Sequence, residues 1–363
     1  MSRIILLQPS LASYRMDFFD RVARRFGERF NVFFSPGGLG LLSHNEGRDW
    51  ANSVGPLKRL PGPIFWQSET SNIHIAAGDI VIVPGDARTL STLLLAWRAR
   101  RAGAKVVWWG QLWSATSKGW RQRLRLKLSN LADALLFYTD AEVAAYRYGI
   151  GKLDERPVSA LNNGIDVEPI KKFAKPFESE RRDRAILFVG RMTPKSGLPL
   201  LFEAMGDPRL CDVTLHLIGD GDLEDELRVQ AKDKATEDRI VFHGATTDEA
   251  EIAQVASRCR LFVYPGQVGL SLIHAFAYGL PAVVHDRRER HMPEIAAFTP
   301  DETGFTFEEN DATSLADAIA SAIDHPNLDL MSRKAWAMAH DQFNSKMMAH
   351  RIIELIETLE KVA

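Results

Sequence analysis

The chain has 363 residues, of which 45% are hydrophobic and 25% charged, with a formal net charge of -2. That length and apolar content fit two globular domains of roughly 150 to 180 residues each. Near-neutrality argues against a protein devoted to nucleic acid, whose usual footprint is a strongly basic face. The only cysteines, Cys211 and Cys259, lack metal-ligand spacing and read as core thiols of a reducing compartment. The apolar run in MSRIILLQPSLASYR is too short for a signal peptide, and no segment approaches the roughly 20 apolar residues of a membrane span. A soluble cytoplasmic protein is the expectation.

Ile4 to Leu7 is an apolar run of strand length, and Met16 to Phe26 then sets Phe18, Phe19, Val22 and Phe26 on one helical face. Further buried strands are expected at Ile80 to Val83, Lys105 to Trp109, Leu135 to Tyr138 and Val158 to Leu161, with a helix over Leu90 to Arg101. Asn162-Asn163-Gly164 marks a turn. The polar KKFAKPFESERRDR after it reads as the core of a linker, so an N-terminal domain over 1–165, a linker over 166–184 and a second domain over 185–340 are expected. Residues 341–363 are expected as a C-terminal helix packing back on the first domain. In the second half, strands are expected at Ala185 to Val189, Val213 to Ile218, Ile240 to Phe242, Leu261 to Val263 and Ala282 to Val284. Helices are expected at Leu198 to Ala204, Leu223 to Ala231 and Leu270 to Tyr278. Strands alternating with helices predict parallel sheets covered on both faces. The fold class expected is therefore α/β, two doubly wound Rossmann-like domains facing a cleft, with ligands beyond the carboxyl ends of the strands.

Three strand ends carry unusual residues. LFVGRMTPKSG offers Gly190, Arg191 and Lys195, a loop suited to an anion and equally readable as a solvated surface turn. LIGDGDLEDEL places Gly219 and Gly221 before a helix; Asp220 and Asp222 there fit helix capping better than a metal site. YPGQVGLSLIHAFAYGLPAVV frees the backbone at Gly266 and Gly269 just ahead of a helix, whose first amides and dipole can hold a diphosphate. Gly279 and Pro281 end that helix. His274 within it either faces a ligand or is a satisfied buried group.

In their order and spacing, GRMTPKSG, LHLIGDGDLEDEL, IVFHG, LFVYPGQVGLSLIHAFAYGLPAVV and TGFTFEENDATSLADAI resemble the donor half of retaining GT-B glycosyltransferases of the group 1, family 4-like kind. The N-terminal half, with QPSLASYRMDFF and the NNGID turn, is similar more loosely. The resemblance implies a nucleotide-sugar donor, a UDP-sugar first, held by Gly190, Arg191, Lys195, Gly219, His243, Gly266, Gln267, Val268, Gly269, Leu270 and His274. It implies charge stabilisation by Arg191 and Lys195, no cofactor and no metal, and it identifies no catalytic base. The sequence departs from the family at three places. Gly266 and His274 stand where the family has a pair of glutamates contacting donor sugar and ribose, and Ser196 stands where it has a lysine, with Lys195 one position early.

The acceptor, a glycan or lipid-linked saccharide of polysaccharide or glycolipid biosynthesis, is expected at Ser13, Tyr14, Arg15, Gln111 and Trp113 in the first domain. Residues 118–131, KGWRQRLRLKLSNL, are basic with Trp120, Leu124, Leu128 and Leu131 at helical spacing. They form either a peripheral contact with an anionic membrane or an ordinary helix with a solvated basic face. The rival functions are a nucleotide-sugar epimerase or hydrolase of the same architecture and a catalytically impaired binding module. A dinucleotide dehydrogenase is disfavoured, because LLQPSLAS lacks the glycine fingerprint after the first strand.

Overall fold

Nearly every apolar run becomes a strand buried on both faces, as parallel sheets require. In the computed structural model, which describes residues 2–37, 47–112, 119–233 and 236–361, the chain divides into two units. One comprises Met1–Asn163 with Ser345–Ala363, the other Gly164–Asn344.

The first unit holds β1 (Ile4–Gln8), β2 (Phe30–Phe34), β3 (Ala51–Ser53), β4 (Leu57–Arg59), β5 (Phe65–Gln67), β6 (Ile80–Pro84), β7 (Lys105–Trp109), β8 (Ala134–Phe137) and β9 (Val158–Ala160). All but β4 and β5, which pair as an antiparallel hairpin, form a seven-stranded parallel sheet in the order β3-β2-β1-β6-β7-β8-β9. The order reverses between β1 and β6, which makes their carboxyl ends the switch point of this sheet.

The second unit holds β10 (Ala185–Val189), β11 (Thr214–Ile218), β12 (Ile240–Phe242), β13 (Leu261–Tyr264), β14 (Ala282–His285) and β15 (Gly304–Phe307), a parallel sheet in the order β12-β11-β10-β13-β14-β15. Its switch point lies between β10 and β13, the two strands that carry GRMTPKSG and YPGQVG at their ends.

The C-terminal helix Ser345–Lys361 belongs to the first unit and packs along the helix Met16–Phe26. Ile352 and Ile356 are fully buried there, each contributing about 1.5 to 3 kcal/mol, and Arg25 pairs with Glu357 at 2.5 Å. Residues 166–184 are instead part of the second unit. They contain the helix Glu168–Phe173, whose Ile170 is fully buried in that unit's core, and Arg182, whose guanidinium reaches the carbonyls of Ala256 and Cys259 at 2.9 and 2.7 Å. The polar composition of the segment hid these two anchors. Cys259 is buried as expected, whereas Cys211 is exposed.

Candidate functional site

The helix Leu270–Ala277 starts at the switch point of the second sheet because Leu272, Ile273 and Phe276, all fully buried, hold one face in the core, and Gly279 at φ 70° closes its end. Its first bonded amide is that of Leu272, which donates to the Gly269 carbonyl at 2.9 Å, so the preceding amides form the donor-rich end that any helix N-terminus presents.

The loop before it is locked to the loop after β10. Gly266 N–H donates to Ser196 O and Gln267 N–H to Lys195 O, both at 3.0 Å. A Cβ at Gly266 would lie 2.0 Å from the Lys195 carbonyl oxygen, so the missing family glutamate is a steric consequence of this closure. The amide of Val268 is engaged as well, with Gly266 O at 3.0 Å and His291 Nδ1 at 3.3 Å. The amides of Gly266 and Val268, two of the residues expected at the donor, are thus bonded within the protein, and Gly269 and Leu270 stand at the helix start. Gln267 is exposed.

On the β10 side, Gly190 takes φ 152° and a Cβ there would touch Tyr264 and the Ser271 hydroxyl, so this backbone lies against the first turn of the helix. Gly219, at φ 139°, is pressed on Gly190, whose carbonyl oxygen would be 2.0 Å from an added Cβ. Its role is this close approach. Arg191 and Lys195 are exposed, and among the described residues neither side chain has a hydrogen-bonding or ionic partner. Burial pushes the Tyr264 hydroxyl above its ordinary range, and the nearby Arg191 charge opposes that rise. Ser196 is fully buried with its hydroxyl on the Thr193 carbonyl at 2.7 Å, so position 196 faces inward and the cation of this loop is Lys195.

His274 is not a lone histidine. Its Nε2 lies 3.0 Å from a carboxylate oxygen of Glu249, and the Tyr278 hydroxyl donates to the same carboxylate at 2.6 Å. Burial raises the Glu249 carboxyl, but the bond and charge from His274 and the bond from Tyr278 outweigh it and leave the group below its ordinary value. Sequence reasoning missed Glu249, which starts the helix Glu249–Ala256, because it lies 25 positions away. It also missed Glu294, a buried carboxyl beside Gly269: its Oε2 would be 3.6 Å from a Cβ there. His243 is held by His216, Nδ1 of the latter lying 3.0 Å from its Nε2.

Burial pushes the imidazoles of His216, His285 and His291 down to about 4, and the neighbouring ring, His243 for His216 and His285 for His291, adds to it at two of the three. Glu142, buried at the start of the helix Asp140–Tyr148, is pushed the other way to about 7. Below the ordinary histidine value of about 6.5 the unfolded chain takes up protons that the folded histidines refuse, so stability is present above that pH and lost as pH falls towards 4. The carboxyl acts in the opposite sense and offsets part of the loss. Thermal melts should therefore fall from pH 6.5 to pH 4.5, on the order of 1 to 3 kcal/mol per pH unit. A melting temperature flat over that range, or a His216→Asn variant with an unchanged slope, would contradict it.

In the first unit, Ser13, Tyr14 and Arg15 form a 3-10 turn after β1, with Ser13 and Tyr14 exposed and Arg15 buried. The Gln111 carbonyl accepts from Arg125 Nη1 at 3.0 Å, and Glu142 receives the amide of Leu112 at 2.8 Å, which fixes the loop after β7. Trp113 lies outside the described residues. The helix Gly119–Ser129 turns Leu126 and Leu128 towards the core and leaves Leu124 exposed, so the apolar stripe expected along 118–131 is split between two faces.

Two parallel doubly wound sheets, one in each unit, make this the GT-B fold. HepE of Anabaena, solved in complex with UDP, aligns with 99% of this chain and 100% of its own at a TM-score of 0.68 and 17% identity, a likeness of fold. Residues 183–325 match the family described as glycosyl transferases group 1. The chain is similar to a phosphatidyl-myo-inositol mannosyltransferase of Mycobacterium leprae, 27% identical over 209 residues that cover 55% of this chain and 53% of that one. It is also similar to the putative colanic acid biosynthesis glycosyltransferase WcaL of Escherichia coli, 26% identical over 220 residues covering 56% and 51%. The chain spans about half the length of these curated relatives.

Proposed function

We propose that this glycosyltransferase moves a sugar from a UDP-sugar to a glycan or lipid-linked saccharide, with retention at the anomeric carbon and without a metal ion. The observation that carries this reading is the backbone closure of the Arg191–Lys195 loop, whose two cations have no partner among the described residues, on the Gly266–Gly269 loop that leads into the Leu270–Ala277 helix. Cations and oriented amides stabilise the negative charge that grows on a departing nucleoside diphosphate. UDP in the HepE complex supports the donor class, and the phosphatidyl-myo-inositol and colanic acid biosynthesis in the relatives' names support the acceptor class. A panel of nucleotide sugars and acceptors read by mass spectrometry, with and without chelator, tests it. Donor turnover without any acceptor would favour the epimerase or hydrolase reading, binding without turnover the impaired module, and activity lost to chelator and restored by magnesium a metal site.

In this reading His274 and Glu249 together receive the donor ribose in place of the family glutamate, His274 orienting the carboxylate. One neutral hydrogen bond contributes about 0.5 to 1.5 kcal/mol. His274→Ala should therefore raise KM for the donor roughly twofold to tenfold with kcat nearly unchanged. A fall in kcat of about a hundredfold at unchanged donor affinity would make His274 a proton-transfer group instead.

Among the described residues no helix is long and apolar enough to cross a membrane. A lipid-linked acceptor would be met at an anionic surface through Arg123 and Lys127, both exposed on the helix Gly119–Ser129. Binding to vesicles containing phosphatidylglycerol should fall with added salt and with both residues changed to glutamine; equal sedimentation of the two proteins removes this contact.

A further inference from the structure

Among the described residues two arginines are buried, Arg182 and Arg15. Arg182, 6% exposed, donates to two backbone carbonyls and lies over the ring of Phe177. Arg15 is 7% exposed, yet its Nη1 is enclosed without a hydrogen-bond partner among the described residues, and no carboxylate pairs with it. Its sequence neighbours with acidic side chains are already committed: Asp17 to Arg21 at 2.5 Å, and Asp20 to Arg48 at 3.1 Å and the Trp50 indole at 2.9 Å. The guanidinium lies 4.8 Å from the ring centre of Trp109, whose indole N–H is likewise buried and without a partner. The ring centre of Tyr14, a residue 41% exposed, lies 5.5 Å from the same guanidinium.

An uncompensated buried charge costs several kcal/mol, and orphaned buried donors call for an explanation. Two such donors on contacting side chains, one of them cationic, call for an anionic oxygen ligand. Arg15 follows β1, which borders the switch point of the first sheet, and Trp109 is the last residue of β7, two strands away across β6, so both stand at the carboxyl-end side of that sheet. We propose that Arg15 and Trp109 form an anion-receiving site that takes a carboxylate or phosphate group carried by the saccharide acceptor. Arg15 supplies the planar, permanently charged fork that matches either group, the Trp109 N–H adds a neutral bond, and the exposed ring of Tyr14 offers an apolar face to the sugar. The assignment of the anion to the acceptor rests on the transferase reading; the anion site itself does not.

The test uses the full chain, titrated calorimetrically with inorganic phosphate, with methyl β-glucuronide and with the neutral methyl β-glucoside, UDP being held at saturation so that the donor site is filled. The wild type should bind both anions and the glucoside at least tenfold more weakly. Arg15→Gln should lower affinity for the anions tenfold or more and leave UDP affinity unchanged, Arg15→Lys should keep part of it, and Trp109→Phe should lose about twofold to fivefold. Arg15→Met, which removes the unpaired charge, should melt at the wild-type temperature or above it and lose the rise that phosphate produces in the wild type. Anion affinity unchanged in Arg15→Gln, or no anion binding by the wild type, overturns the site. A collapse in the melting temperature of Arg15→Met makes Arg15 a structural cation and also overturns it. UDP affinity lost in Arg15→Gln moves the anion to the donor and overturns the acceptor assignment. If wild type binds anions but not UDP, the transferase reading fails while the site stands.

Discussion

Gly266→Glu, which reinstates the side chain that the family carries, is expected to abolish donor binding rather than improve it. The Cβ would be driven to 2.0 Å from the Lys195 carbonyl oxygen, 2.6 Å from the Ser196 carbonyl carbon and 2.9 Å from the Gly197 nitrogen. All three are backbone atoms, which cannot rotate away as a side chain tip can. Gly197 in turn sits at φ 69° with its own Cβ position 2.8 Å from the Gly266 nitrogen, so neither loop can yield without the other. Overpacking costs typically 1 to 3 kcal/mol, and a clash with fixed backbone belongs at the upper end. The melting temperature should drop by about 6 to 12 °C, and UDP affinity should fall at least tenfold as the Arg191–Lys195 loop is pushed off. A Gly266→Glu protein that melts normally and binds donor more tightly would show that the two loops part readily and that the closure is not what sets the site.

Arg191→Ala is expected to weaken UDP binding about tenfold to a hundredfold and to slow transfer by at least as much. The side chain is exposed, has no partner among the described residues and adjoins Tyr264 at the end of β13, so its loss leaves no buried group stranded and should leave the melting temperature unchanged. A charge-assisted hydrogen bond to a diphosphate is worth roughly 1.5 to 3 kcal/mol, and that figure sets the range. Lys195→Ala should do less, since an ammonium is a point charge on a flexible stem where a guanidinium presents a paired fork. Isothermal titration with UDP and initial rates at several donor concentrations measure both effects. UDP affinity equal to wild type in Arg191→Ala would remove the phosphate site and with it the basis for metal-independent transfer.

The strands that were missed show where pattern reading loses its signal. β2, FNVFF, alternates between fully and partly buried positions and is interrupted by Asn31, so neither a continuous apolar run nor a strong alternation marks it. Its identity as a strand comes from parallel pairing to β1, Ile4 with Phe30 through Gln8 with Phe34. β15, GFTF, is the edge of its sheet and only half buried, and short edge strands carry the least hydrophobic record of their neighbours. Helix Leu90–Arg101, by contrast, was legible to its last residue, because Gly103 lies two positions on at φ 78°, a conformation that a helix cannot continue through.

The amino-acid sequence by itself determined that this is an α/β protein of two doubly wound halves, that Arg191 and Lys195 follow the first strand of the second half, and that a glycine-flanked helix follows its fourth. Those features depend on local periodicity and on the backbone freedom of single residues, which neighbours along the chain record. Only the tertiary structure decided that Gly266 is compelled by the Lys195 carbonyl, that His274 shares Glu249 with Tyr278, that Ser196 points inward, and that Arg15 is buried with no paired carboxylate among the described residues. Each of these is set by a partner brought in across the sheet or from a distant loop, or by the want of one, and burial and pairing of a polar group depend on who its neighbours in space are. No spacing along one chain carries that information.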